Sequence, residues 1–309
     1  MIQLLDGEGR LGRYVRHITL KPRLSSEMED ITQDTTQRLY HMCYKLESIF
    51  VYTSIRISPL GSNYDTQPKP VDTFASLPST VSSIGWFDHL PSRIVRIQPL
   101  GIHLRTLTLI SARNIFIEQP LFFPHLEIIH MAAALQLLEQ PWSCPRLRHM
   151  RLVYDPTQYA WKLGLSTGMQ TFLQVHAEKL HTLFLDNASP KVDLSPSDLY
   201  LPLLGGCNNL QTLLLNVGVR VFEPGIAPLW ILPSLECVAV VLEAGRPVPF
   251  MNVNALWDGF HAHGQFLGIK QFLVLHPHGM HDSADLEPIK DHCGHDRRLS
   301  FRCLSNYVV

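Results

Sequence analysis

Histidine and cysteine, the residue types that most often bind zinc, gather toward the end of the chain. Seven of the sixteen histidines follow residue 260, with Cys293 and Cys303 nearby. Imidazole and thiolate are the usual zinc ligands. Neither HPHGMHD nor DHCGHD contains Cys-x-x-Cys or His-Glu-x-x-His, and the spacings match no common zinc module. We therefore predict no metal site and keep a metal-dependent enzyme only as an alternative, with the ligand set His276, His278, His281, His292, Cys293 and His295.

Motifs for other kinds of catalysis are missing from the sequence. There is no Gly-x-Ser-x-Gly nucleophile motif, and the glycine pairs lack the rest of either nucleotide-binding fingerprint. Acidic residues are scattered and form no convincing acid–base pair. The sequence therefore predicts a protein that catalyses nothing and needs no cofactor.

The amino-acid composition argues against several classes of partner. Of the 309 residues, 46% are hydrophobic and 17% are charged, which argues for a folded chain rather than a disordered one. Lys and Arg number 26 against 27 Asp and Glu, and without a basic excess we expect no nucleic-acid partner. The most apolar region, 226–242, is broken by prolines, so we expect no membrane span. The N-terminus has no signal-type apolar core, and we expect an intracellular protein, cytoplasmic or nuclear.

A six-residue pattern, L-x-x-L-x-L with large apolar residues at the first, fourth and sixth positions, recurs along the chain. Ten copies begin 21 to 35 residues apart, and a weaker copy, LSFRCL, spans 299–304. Each copy predicts a short strand with one buried side. The connections are too long for hairpins, so we expect parallel strands joined by right-handed crossovers. The ten copies begin at Val15, Leu46, Val81, Leu104, Leu126, Leu147, Leu180, Leu210, Leu235 and Ile269.

This repeat predicts one α/β domain over residues 1–309: an irregular right-handed leucine-rich-repeat solenoid with a parallel strand per repeat and helices or turns as connections. About ten units run from a first strand near 15–20 to a last one near 269–275, with a closing strand near 299–304. Helix signals fall after Ser26 and over 169–177, 254–263 and 284–292. Cys43, Cys144 and Cys207 each precede a pattern leucine by three residues and are predicted to be buried fillers. An ordinary α/β domain is the alternative.

LGRYVRHITL, CPRLRHMRL and CNNLQTLLL resemble the repeat region of F-box/leucine-rich-repeat proteins, especially the divergent F-box-like group of mushroom-forming fungi. The resemblance implies that the repeats hold a substrate, while an F-box recruits a cullin ubiquitin ligase through the Skp adaptor. We find no F-box before Val15, so we expect a truncated product or a protein that works without the ligase. The asparagine at the ninth position of such repeats is absent from all ten copies, and we therefore expect an irregular arc.

The third and fifth positions of each copy are predicted to face the concave, strand-bearing surface. From Phe184 onward the fifth positions are all apolar, and an exposed apolar row marks an interaction site. In the alternative, a loop or the C-terminal segment covers this row. We predict a non-catalytic protein–protein recognition module that resembles the substrate-binding part of an F-box adaptor, or alternatively a stand-alone repeat scaffold. The predicted binding residues are His130, His149, Arg151, Phe184, Leu214 and Leu273.

Overall fold

The structure, a computed structural model, divides by its internal contacts into two compact units, Met1–Leu147 and Arg148–Val309. The prediction of one domain over the whole chain stays a prediction. The residues that the structure describes are 11–20, 33–53, 77–88, 103–110, 121–132, 142–154, 172, 175–187, 205–216, 232–241, 254, 257–258, 261, 268–276, 289, 291 and 296–303.

The described part of the first unit is a stack of parallel strands. A 3-10 turn, Leu11–Tyr14, precedes the first strand, and one α-helix, α1, separates the first two strands. Five strands pair in chain order, each parallel to the next, and two short strands pair parallel beside them. The five are β1 His17–Leu20, β2 Ser48–Thr53, β3 Ser83–Asp88, β4 Thr106–Ile110 and β6 Ile128–Ala132; the short pair is β5 Leu121–Phe122 with β7 Trp142–Ser143; α1 is Gln33–Met42.

The second unit repeats this arrangement with six strands in chain order, all parallel. A 3-10 turn, Ala177–Lys179, leads into its second strand. Described residues of the predicted segments 254–263 and 284–292 are helical, including Trp257 and Ile289. The six strands are β8 His149–Tyr154, β9 Thr182–Asn187, β10 Thr212–Asn216, β11 Cys237–Val241, β12 Gln271–His276 and β13 Leu299–Cys303.

The register of the strands follows the sequence pattern. Each of the ten predicted copies starts its strand at its third residue, and third positions pair with third positions, as in His17 with Ser48 and Thr212 with Cys237. A parallel strand per repeat is therefore confirmed in the described residues. The predicted closing strand near 299–304 is present as β13, but its pattern is out of phase with the other copies, because Leu299 pairs with Phe272, a fourth position. The physical reason is a tight turn at 296–299 that leads directly into β13, so that the strand lacks the first three pattern residues.

A four-residue turn, which we name the leading turn, ends at the first position of eight of the ten copies in the described residues. The N–H of its last residue donates to the carbonyl of its first residue, for example from Leu46 to Cys43 at 2.9 Å and from Leu210 to Cys207 at 3.0 Å. Cys43, Cys144 and Cys207 all open such turns and are 0% exposed, with free thiols. The prediction that they are buried fillers is confirmed. Burial raises the pKa of the Cys207 thiol to about 11.

Backbone hydrogen bonds join the beginnings of neighbouring strands. At eight of the ten second positions, the carbonyl accepts the N–H groups of both the second and third positions of the next copy. The Glu236 carbonyl, for example, accepts from Lys270 at 2.8 Å and from Gln271 at 3.0 Å. Because one oxygen accepts two bonds, the N–H groups that precede the regular ladder are not left unsatisfied. The carbonyls that do this are those of Arg16, Glu47, Ser82, Arg105, Arg148, His181, Gln211 and Glu236.

Two side chains tie neighbouring leading turns together. The Thr80 hydroxyl donates to the Leu46 carbonyl at 2.7 Å and to the Tyr44 carbonyl at 3.3 Å. Asn209 Nδ2 donates to the Glu178 carbonyl at 2.5 Å. Thr80 and Asn209 occupy the same place in their turns, immediately before the first position. Here, polar side chains in the turns satisfy backbone carbonyls in the absence of a ninth-position asparagine.

The core of each unit lies on the side of the strands that carries the fourth and sixth positions. The fourth-position residues and the first-position leucines are buried in both units. The sixth-position residues are buried except for Leu20 and Leu185, which are half-buried. In the second unit the Trp257 ring packs edge-on against Phe272, with centroids 5.2 Å apart, so a helical segment covers that side of β12. Among the described residues, no helix is long and apolar enough to cross a membrane.

Candidate recognition surface

The apolar row predicted as a binding stripe is buried in the second unit. Phe184, Leu214 and Leu273 are 7%, 2% and 1% exposed, and they pack in one cluster with Ala239 and Val241. The expectation that this row is exposed is wrong. Its strands are near-continuous apolar runs, which are typical of parallel sheets covered on both faces. The burial fits the alternative, in which another part of the chain covers the row.

Two of the predicted binding residues, Arg151 and Phe184, contact each other. The guanidinium carbon of Arg151 lies 4.7 Å from the centroid of the Phe184 ring, which is a cation–π contact between β8 and β9. His149 is half-buried at the start of the same strand and pairs in register with Thr182. Arg151 therefore lies at the edge of the buried cluster, where it covers one aromatic face.

His130 belongs to the first unit, on β6. Its Nδ1 lies 3.5 Å from the hydroxyl oxygen of Thr108 on the neighbouring strand. Thr108 is buried and His130 is half-buried. The structure thus groups His130 with the first unit, and groups Arg151, Phe184, Leu214 and Leu273 within the second.

Three aromatic side chains form a partly exposed cluster on the strands of the first unit. The rings of Tyr52 and Phe87 stack in parallel, 4.3 Å apart with 3° between their planes. Phe50 lies 6.3 Å from Phe87 and covers Gly85 on the adjacent strand. All three rings are half-buried, unlike the apolar row of the second unit. We name Phe50, Tyr52 and Phe87 the aromatic face.

Sequence reasoning did not select these residues. Phe50 and Gly85 are fifth positions of their copies, but Tyr52 and Phe87 are seventh positions, which lie beyond the six-residue pattern. The signal that could have found them is the continued alternation of the strand, which puts the seventh position on the same side as the third and fifth.

A polar row borders the aromatic face at the third positions of the first four strands. His17 Nδ1 lies 2.7 Å from Ser48 Oγ across β1 and β2, and Ser83 and Thr106 continue the row on β3 and β4. A serine beside a histidine can be a nucleophile with its base. Ser48, however, is only 6% exposed, and no described carboxylate orients the His17 ring. We interpret the pair as a hydrogen bond that joins the two strands.

The combination of half-buried aromatic rings and a polar border is suited to binding another protein. Aromatic residues are enriched at the centres of protein interfaces, and polar residues form the rim. The strands that carry them are held in register by backbone ladders, so the rings are presented on a rigid support.

The alternative metal site falls almost wholly outside the described residues. His276 ends β12, but nothing is described of its side chain, and the other five predicted ligands lie outside the described residues. Among the residues that are described, no group of three or more His, Cys, Asp or Glu side chains could hold a metal ion. The prediction about metal binding stays a prediction.

Compared with known proteins, the sequence matches no family model and no curated protein. The resemblance to F-box/leucine-rich-repeat proteins therefore stays a prediction.

Proposed function

We propose that this chain is a non-catalytic recognition module that binds a protein partner through the aromatic face of its first unit. The observation that carries the proposal is the stacked, half-buried ring pair of Tyr52 and Phe87 on in-register parallel strands. A ring that is partly exposed before binding can bury its remaining apolar area on binding.

The small loss of side-chain entropy expected on binding supports a binding role for the aromatic face. Tyr and Phe have few rotatable bonds, and their mutual stacking already restrains them, so little side-chain entropy is lost when a partner docks. Phe50 is restrained further because it lies against the backbone of Gly85. The polar row from His17 to Thr106 supplies hydroxyl and imidazole groups beside the rings for hydrogen bonds that fix orientation.

The second unit is less suited to this role on its strand side. Its fifth-position side chains from β9 to β12 are buried in one cluster, so they offer little apolar surface for a partner to cover. We assign that row to stability and the first unit to recognition.

The parallel strands also indicate which class of recognition module this chain belongs to. We propose that the parallel strands belong to a leucine-rich-repeat solenoid with right-handed connections, which fits their chain order and constant register. The resemblance to F-box/leucine-rich-repeat proteins suggests that the bound protein is a ubiquitin-ligase substrate. A stand-alone scaffold uses the same surface without the ligase.

Affinity purification with quantitative mass spectrometry tests this proposal. The tagged full chain is expressed in its own cells beside a double variant, Tyr52→Ala with Phe87→Ala. The matched control is Phe122→Ala, which removes an aromatic ring of the same unit that is 61% exposed and lies outside the aromatic face. We expect the double variant to lose a specific partner by about tenfold or more, and the control to retain it.

Equal recovery of every enriched protein by the double variant and the wild type would contradict the proposal. Circular dichroism of the double variant confirms that a loss is not due to unfolding. If the retained proteins include the Skp adaptor and a cullin, the module serves a ubiquitin ligase. If a specific partner is recovered without them, the module is a scaffold.

A further inference from the structure

One edge of the first unit carries exposed cations and tyrosines. It consists of the leading turns and the second positions that follow them, and we name it the leading edge. Its described charged residues are five basic and two acidic, with two histidines between them. The basic residues are Arg13, Arg16, Lys45, Arg105 and Arg146, the acidic ones are Glu47 and Glu127, and the histidines are His103 and His125.

Cations and tyrosines alternate across the first two leading turns. The second residue of the first turn is Arg13, and that of the second turn is Tyr44. The third residues are Tyr14 and Lys45, respectively. The Arg13 guanidinium lies 4.6 Å over the Tyr14 ring. Tyr14 and Tyr44 are 66% and 56% exposed, so each phenol presents a ring face and a hydroxyl to solvent. Exposed Tyr beside Arg is the composition found at energetic centres of protein interfaces.

The first leading turn is held firmly in place beside the second. Gly12 lies so close to the Met42 carbonyl at the end of α1 that a Cβ would overlap it. The Val15 N–H donates to the Gly12 carbonyl at 3.1 Å, and the Cys43 N–H donates to the Leu39 carbonyl at 3.1 Å. The close contact places the turn that carries Tyr14 against Met42, the residue immediately before the turn that carries Tyr44.

Positive charge on this edge is only partly compensated. Arg16 forms an ion pair with Glu47 across β1 and β2. No described carboxylate forms an ion pair with Lys45, Arg105 or Arg146. Parallel strands lie about 4.8 Å apart, so the leading edge spans roughly 24 Å over the six successive copies from Val15 to Leu147. That length accommodates an extended peptide of about seven residues.

We propose that the leading edge binds an acidic segment of a protein partner, which places carboxylates on Lys45, Arg105 and Arg146 and covers the rings of Tyr14 and Tyr44. This inference rests on the proposed function, because it names the chemistry of the partner. A carboxylate that meets Arg or Lys gains a charge-assisted hydrogen bond, and Arg binds it through two parallel ones.

The same features disfavour a nucleic acid. Glu47 and Glu127 stand among the cations, where a continuous phosphate backbone would meet them and be repelled. A peptide can place uncharged residues there and donate backbone N–H groups to the two carboxylates.

Fluorescence polarisation with the full chain tests the proposal directly. The probe is a labelled peptide of alternating glutamate and alanine, about twelve residues long. We expect it to bind at about 50 mM salt and to weaken toward about 300 mM, as screening predicts. Lys45→Glu with Arg105→Glu is expected to weaken binding by about tenfold or more. The matched control is Lys179→Glu, which changes an exposed lysine at the same turn position in the second unit and is expected to bind like the wild type.

Three results would overturn the proposal: no binding of the acidic peptide, equal binding by the double variant, or equal binding of the peptide in which glutamine replaces glutamate. Tighter binding of an oligothymidylate of similar length, lost in the same double variant, would make the partner a nucleic acid instead. The variant Tyr52→Ala with Phe87→Ala is expected to bind the acidic peptide normally. The experiments therefore distinguish failure of the proposal for the leading edge from failure of the proposal for the aromatic face.

Discussion

The ring of Phe50 lies against the backbone of Gly85 on the next strand, so closely that a Cβ on Gly85 would overlap Phe50 Cδ1. Both are fifth positions, paired in register across β2 and β3. The missing side chain is what lets the Phe50 ring lie down beside Phe87. Glycine weakens a strand, and here its position marks a close approach of a neighbouring group.

Gly85→Ala is expected to destabilise the protein by about 1–3 kcal/mol, because the methyl group displaces the Phe50 ring in a packed site. Partner recovery is expected to fall with it, since the aromatic face is rearranged. The control is Gly205→Ala, where a Cβ would meet no atom within 4 Å. Urea unfolding measures both variants. A Gly85→Ala protein as stable as the wild type would show that Phe50 does not depend on the glycine.

Leu214→Ala tests whether the strands of the second unit are covered on both faces. Leu214 is nearly fully buried at a fifth position, and its truncation is expected to cost about 2–5 kcal/mol. Thr212→Ala, at the half-buried third position of the same strand, is expected to cost about 1 kcal/mol or less. If Leu214→Ala unfolds at the wild-type urea concentration, the row is an exposed surface after all.

The strands could be predicted from the sequence because their signal is local. Apolar residues at the first, fourth and sixth positions fixed the start of β8 at His149 and of β12 at Gln271. The phase of β13 could not be predicted, because Asp296 stands where the other copies have an apolar first residue, and the turn there depends on its contact with Arg298.

The candidate site was harder to predict, because the exposure of a strand side chain depends on whether another part of the chain packs over that face of the sheet. Leu214 and Phe50 both follow the fifth-position rule, yet one is buried and the other is half-buried. Only the packing of residues distant in sequence separates them. The contact between His17 and Ser48 likewise joins residues 31 apart and follows from strand register rather than from spacing.

Asp296→Asn is expected to remove a pH dependence of stability in acid. The Arg298 side chain bonds to the Asp296 carboxylate at 2.5–3.2 Å and holds its pKa at about 2, below the usual 3.8. A carboxyl group with a lowered folded-state pKa stabilises the protein above pH 3.8, and this contribution is lost as the pH falls toward 2. Urea midpoints are measured between pH 5 and pH 2. The wild type should lose more stability over that range than the variant, and parallel curves would contradict this.

Cys207 is expected to resist alkylation in the folded protein. Its sulfur is buried, and with a pKa of about 11 only about one thiol in a thousand is ionised at pH 8. N-ethylmaleimide treatment followed by peptide mass mapping is expected to leave Cys207 unmodified in buffer and modified in concentrated urea. Rapid modification in buffer would mean that the leading turn opens readily.

Hydroxyl-radical footprinting of the chain with its purified partner tests the central claim most directly, because it reads the exposure of individual aromatic side chains. On complex formation we predict that Tyr52 and Phe87 become several-fold less reactive, while the exposed ring of Phe122 reacts as in the free protein. Unchanged reactivity of Tyr52 and Phe87 with protection elsewhere would contradict recognition by the aromatic face.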